Sequence, residues 1–247
     1  MNLGFTAGVD TAIILTNTTL ITRTLQLGNN VNCTGTLIMN SNSFMTMGAN
    51  NFAVGISPGA GSPSAGVLTQ NPGSALDSSA ELWLGQGPSG VGTYNMNGGS
   101  AIFRNWVAIG RNGGTATFNM TGGTITKTPN NNFMIGSRDG TTGTAGTLNQ
   151  SGGTILCGSE YWIGEAQNNA SAAFGTNNIS GTATLVVSNW IAIGREGAIG
   201  VLNLSGGSVT KLGTSGNNIE IGNGTGSSGT INQTGGAFNN TISETRV

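Results

Sequence analysis

Histidine is absent from the 247 residues, and charge is scarce: 8 Lys and Arg stand against 9 Asp and Glu, together 7% of the chain. Without histidine there is no imidazole to act as base, metal ligand or switch near neutral pH. Balanced charge leaves no basic surface able to neutralise a nucleic-acid backbone, so nucleic acid is not an expected partner. Apolar runs are short. The longest, such as Ala12-Ile13-Ile14-Leu15, hold four residues, whereas a membrane-spanning helix needs about 20. Lys, Glu and Arg are strong helix formers, and their scarcity argues against a helical protein.

What is abundant is turn chemistry. Glycine supplies 44 positions and asparagine 31, against an average glycine usage of roughly 7%. Hydrophobic residues still make up 36%, in short β-branched or aromatic clusters, and the net charge is only −1. Enough apolar surface to fold, broken into short segments by turn residues, predicts an ordered all-β chain. The small net charge also sets only a weak barrier against self-association.

The chain repeats itself, which governs the whole reading. An aliphatic residue followed by glycine recurs at Gly28, Gly55, Gly85, Gly110, Gly136, Gly164, Gly194 and Gly222, in steps of 25 to 30 residues. A second block interleaves with it, as in Gly146-Thr147-Leu148-Asn149-Gln150-Ser151-Gly152-Gly153-Thr154-Ile155. The Ile-Gly block has an aromatic entry, as in Trp106-Val107-Ala108-Ile109-Gly110 and Trp190-Ile191-Ala192-Ile193-Gly194. A period near 27 suits one coil of three short strands and three turns. The expected fold is therefore all-β: a single-domain parallel β-solenoid of about 8–9 coils, with three strands per coil. Residues 1–65 read as divergent N-terminal coils, 66–240 as regular repeats and 241–247 as a tail.

Alternation along each strand assigns the faces. Ile109, Ile135, Ile163, Ile193 and Ile221 should form one inward column. The residue before each of them (Ala108, Met134, Trp162, Ala192, Glu220) should face solvent. Trp83, Trp106 and Trp190 share that outward parity, so Trp83, Trp106, Trp162 and Trp190 form a candidate exposed stripe. In the Gly-Thr block, Tyr94 and Met96, Phe118 and Met120, and Leu202 and Leu204 should point inward. Asn95, Asn119, Asn149, Asn203 and Asn232 then stack as an amide ladder. Gln150 and Gln233 fall on the inward parity and fit it poorly.

Chemistry-bearing residues are few. Asp77 and Glu81 lie close in sequence with no basic residue beside them, and Glu160 and Glu165 have Arg195 one coil on. A surface Glu165–Arg195 ion pair accounts for the second group. No catalytic set, metal-binding cluster or cofactor motif is read. Cys33 and Cys157 lie four to five coils apart, or about 20 Å, too far for a disulfide, which needs Cα atoms within about 7 Å. Asn-x-Ser/Thr occurs at Asn17, Asn32, Asn119, Asn149, Asn169, Asn178, Asn203, Asn223, Asn232 and Asn239. Those within the repeat read as ladder and turn residues, and the others as freer glycan acceptors.

The two blocks together resemble the autotransporter-associated β-strand repeat. They are also similar to the Gly/Asn/Thr-rich β-strand repeats of large bacterial surface proteins, including those with a PEP-CTERM sorting tail. The resemblance covers roughly residues 66–240 and implies an extracellular or surface-displayed solenoid. No segment reads as a signal peptide, translocator barrel or C-terminal anchor, so a processed product, a fragment or a subunit exported by another route is expected. Neither end carries an amphipathic capping helix, and the repeat beginning at Gly229 is incomplete. The leading expectation is a non-enzymatic structural subunit that stacks head-to-tail with copies of itself into a filament or surface layer. The second is an adhesin or carbohydrate-binding passenger, holding surface glycans on the tryptophan stripe. A polysaccharide-degrading or tail-spike β-helix ranks third, because it needs a carboxylate cluster that the sequence does not display.

Overall fold

The computed structural model describes residues 1–138, 143–167, 173–213, 218–240 and 243–247. Among them the regular structure is β-strand, arranged in three parallel sheets of ten, nine and nine strands. Every third strand in the chain is a neighbour within its sheet, so the chain winds as a β-solenoid. One coil consists of Val107–Arg111 in the first sheet, Thr115–Met120 in the second and Thr124–Lys127 in the third. The next coil lays Phe133–Arg138, Thr144–Gln150 and Thr154–Cys157 on these in turn. With nine steps between the ten strands of the first sheet, the stack is roughly 43 Å long at about 4.8 Å per step.

Glycine explains why the repeat has two fixed blocks. Gly110 ends its strand at φ 75°, where an L side chain is strained, and a Cβ there would lie 2.4 Å from the carbonyl oxygen of Ala145 in the following coil. Gly146, opening the Gly-Thr block of that coil, would place a Cβ 2.0 Å from the carbonyl oxygen of Ile109. The corner between the first and second sheets is thus a backbone-to-backbone contact. The Ile-Gly glycine and the Gly-Thr glycine are the two sides of that contact.

Each sheet sends two columns of side chains inward, and one mainly apolar column from each runs the length of the stack. In the first, Leu3, Leu27, Val54, Leu84, Ile109, Ile135, Ile163, Ile193 and Ile221 follow one another in register. The predicted isoleucine column is therefore present, and it extends back to Leu3. The second column runs from Ile13 through Tyr94, Phe118 and Leu202 to Ile231. The third runs from Leu20 through Ile125 and Ile155 to Phe238. Aromatic rings stack where successive coils both carry one: Tyr94 on Phe118 at 4.3 Å, and Phe133 on Tyr161 at 5.1 Å between centroids. Residues 1–65 belong to the same three columns as the rest of the chain.

Several polar side chains inside this core are paired within or between coils, while Oε1 of Gln150 and Oδ1 of Asn177 find no partner. Gln150 does point inward, and its amide nitrogen donates to the carbonyls of Gly153 and Thr184. Gln70 accepts a hydrogen bond from the hydroxyl of Tyr94, and the Asn177 amide donates to the Tyr161 hydroxyl at 2.8 Å. Gln233, on the last coil, is exposed.

Candidate functional site

The outer face of the first sheet gathers most of the chemistry in the molecule. Trp83, Ala108, Met134, Trp162, Ala192 and Glu220 occupy one outward column in consecutive coils. Trp106 and Trp190 lie two residues upstream of Ala108 and Ala192, held where their carbonyls accept from the backbone N–H groups of Leu82 and Tyr161. The outward parity of all four tryptophans is as the alternation predicts.

Their expected exposure is not. Trp162 is only 8% exposed, Met134 6%, and Ala108 and Ala192 are fully covered. Trp83, Trp106 and Trp190 are half-buried. Alternation says which face a side chain leaves by, but not what lies over it. Here the rings cover one another, with Trp162 6.3 Å from Trp106 and 6.2 Å from Trp190, and arginines roof them. The Arg195 guanidinium lies 4.4 Å above the Trp162 ring and 5.3 Å from Trp190, while Arg111 lies 4.9 Å above Trp83. Desolvated cation–π contacts of this kind are worth about 1–2 kcal/mol each. Trp106, Trp162 and Trp190, with Ala108, Met134 and Ala192, therefore form a second, outer apolar layer and not a bare stripe, while Trp83 packs under Arg111. Glu220 was also expected to stand free. It accepts from the Asn223 amide and lies 3.6 Å from Arg246.

The roofing residues belong to a column of which only Glu165 and Arg195 stand out in the sequence. The residue after each Ile-Gly-type glycine aligns in register, giving Gln86, Arg111, Ser137, Glu165, Arg195 and Asn223. A polar residue at this place in successive repeats was the available signal. Glu165 accepts from the Ser137 hydroxyl at 3.2 Å and pairs with Arg195 at 3.1 Å. It is 6% exposed, so this is a largely buried pair and not the surface pair expected. Arg195 also reaches Glu196 at 2.5 Å. At the other end, Glu81 accepts from the Trp83 indole at 2.9 Å and lies 4.0 Å from Arg111. Between these ionic groups runs a cleft of about 530 Å³, floored by Trp106, Met134 and Trp162. The indole N–H groups of Trp162 and Trp190, and Nε of Arg195, are buried beside it without an acceptor.

The outer face of the second sheet carries the amide ladder. Asn119 donates to Asn95 at 3.0 Å, Asn149 to Asn119 at 2.9 Å, Asn178 to Asn149 at 2.8 Å, Asn203 to Asn178 at 2.7 Å, and Asn232 to Asn203 at 2.8 Å. Asn178 belongs between Asn149 and Asn203, a rung the sequence-derived ladder omits. A second ladder, Asn40, Asn71 and Asn97, runs along an adjacent turn. Asn17 and Asn32 hold positive-φ turn positions, and Asn169 lies outside the described residues.

The remaining titratable groups are dispersed. Asp77 does have a basic partner: Arg104, one coil on, donates to its two oxygens at 2.9 and 2.8 Å. Cys33 and Cys157 are both buried and unpaired. Lys127 is buried and in register with Cys157. Burial lowers its ammonium pKa to about 8 and pushes the Cys157 thiol upward. Its Nζ donates to the carbonyls of Thr128 and Asn130, bracing that turn. Among the described residues no three of His, Cys, Asp or Glu converge on a point.

At the first and last described coils the core is only partly covered. The apolar residues packed on the core but only partly covered are Leu3, Ile13, Leu20, Ile221, Ile231 and Phe238. These are the first and last members of the three interior columns. No protein-family model, curated protein or solved structure matches the chain. Function is therefore argued from the geometry alone.

Proposed function

We propose that this chain is a non-enzymatic structural subunit, working at or outside the cell surface, whose coils stack end to end with those of further copies into a filament. The observation that carries the reading is the pairing of the column ends. Leu3 with Ile221, Ile13 with Ile231, and Leu20 with Phe238 are matched apolar termini of the same three columns. Each end also presents strand edges whose N–H and C=O groups lack a ladder neighbour, and such edges template further parallel pairing. A copy placed on the last coil would set Thr11–Leu15 against Ser228–Gln233 and Thr19–Thr22 against Ala237–Asn240. The contact joins unlike surfaces, so it propagates instead of closing into a dimer.

The junction has one conflict. The first sheet has one strand more than the others, and its outermost strands, Asn2–Leu3 and Thr245–Arg246, are two residues each. In an unbroken stack both would occupy the same place above Ile219–Asn223, so one of them yields. The amide ladder is also interrupted there, because Ile14 of the incoming copy takes the rung above Asn232.

Sedimentation velocity on two end variants tests the reading. Ile231→Arg charges one end and Ile13→Arg the other. Each alone should hold the protein as single rods, because one face of every junction is blocked. Mixed in equal amounts they should form dimers and nothing larger, since only one pair of intact ends remains. Continued growth of both variants alone, or a mixture that stays monomeric while the parent polymerises, contradicts stacking through these faces.

A further inference from the structure

The outer cleft of the first sheet is independent of the ends of the stack. It lies along the side of the rod, on the face of a sheet whose strands are already paired. Its lining runs from Glu81 through Arg111 and Trp162 to Glu196. That path crosses five consecutive coils, four steps of about 4.8 Å or roughly 19 Å along the rod. Its volume of about 530 Å³ is that of a ligand site and far exceeds a packing flaw.

We infer that this cleft binds an extended, uncharged glycan chain lying along the rod axis. Three features select that chemistry. The floor is apolar and aromatic, and the half-buried Trp106 in it suits the C–H faces of sugar rings. The walls offer hydrogen bonding of both senses, carboxylates that accept and guanidinium groups that donate. Among the described residues the charged lining is nearly balanced, Glu81, Glu165 and Glu196 against Arg111 and Arg195, which favours neither a polyanion nor a polycation.

A peptide is the poorer occupant. Extended peptides gain affinity by adding a strand to an unpaired sheet edge, and this surface is a sheet face. Coil-spaced binding groups also match a ligand that repeats ring by ring, because the cleft repeats strand by strand.

The test is titration calorimetry, with tryptophan fluorescence as a second readout, on the full chain at concentrations where it is a single rod. The probes are neutral hexasaccharides of glucose, mannose, xylose and N-acetylglucosamine in their common linkages, with hexagalacturonate and an extended Gly/Pro/Thr peptide as counter-probes. At least one neutral hexamer should bind saturably, tighter than its own dimer and with a shift in tryptophan emission. Trp106→Ala should weaken it tenfold or more, while Trp106→Phe should retain most of the binding. Should Trp106→Ala lose the fold, Arg111→Gln on the cleft wall carries the same expectation of loss. Absence of saturable binding by every neutral hexamer overturns the inference. So does a hexamer whose affinity is unmoved by the cleft variants, or preferential binding of the galacturonate or the peptide. Each of these outcomes leaves the stacking of rods untouched, since none of the end residues is involved.

Discussion

Asn149 shows how the residue scale works in this molecule. Its amide donates to Asn119 and accepts from Asn178, so its replacement opens two links of the ladder at once. A side-chain hydrogen bond contributes about 1 kcal/mol net, and Asn149→Ala should therefore cost about 2 kcal/mol in urea unfolding. Asn232→Ala, at the exposed end of the ladder with a single link, should cost half that or less. Lys127 gives a pH signature. Its folded-state pKa of about 8 lies below the ordinary lysine value near 10.4, so between these limits the unfolded chain binds more protons than the folded one. Stability from this group then rises as pH climbs from about 8 to 10, and below 8 the full cost of holding the buried charge is present. Relative to Lys127→Met, the parent should gain up to about 3 kcal/mol across that window, read from denaturation midpoints at each pH. The ladder was legible in the sequence because asparagine recurs once per coil. Asn178 was omitted because its repeat lacks one glycine, yet that deletion falls after the strand and leaves the register intact. The Asp77–Arg104 and Tyr161–Asn177 pairs were not legible. Arg104 lies one coil on from Asp77, whereas Asn177 lies on the next strand of Tyr161's own coil, and loop length sets both separations anew in every coil.

At the scale of the element, the decisive object is the corner between the first and second sheets. Gly164 has φ 73°, and a Cβ there would sit 2.4 Å from the carbonyl oxygen of Ile199. Gly164→Ala combines backbone strain with a collision against backbone that cannot rotate aside, and should cost at least about 2 kcal/mol. Gly59→Ala is the control, with open space around its Cβ and negative φ, and should fall within about 0.5 kcal/mol of the parent. Agreement of the two substitutions in thermal unfolding would contradict this account of the repeat. The corners were readable because glycine is the residue that tolerates such geometry, and its period announces them. The outer surface of the first sheet was readable only by half. Parity put the tryptophans on the outside, whereas their cover is supplied by Arg111 and Arg195, whose reach across neighbouring strands no alternation pattern encodes.

For the whole molecule, the proposed stacking would cover the partly exposed ends of three interior columns. A net charge of −1 offers little electrostatic resistance to that contact, so its strength should depend weakly on salt. The conflict between the two-residue strands at the junction has a consequence for growth. Removing residues 243–247 clears the place above Ile219–Asn223 that an incoming Asn2–Leu3 would fill. Polymerisation of that shortened chain should be faster than that of the parent in light scattering. Slower growth would show that the last strand is part of the junction and not an obstacle to it.

Cryo-electron microscopy of the concentrated protein examines the central claim most directly. The expected image is an unbranched filament with a subunit rise of roughly 43 Å, nine coils at about 4.8 Å, in which Ile13 of one copy rests on Ile231 of the next. Isolated rods at every concentration, or rods joined in two-fold pairs through like ends, would contradict it.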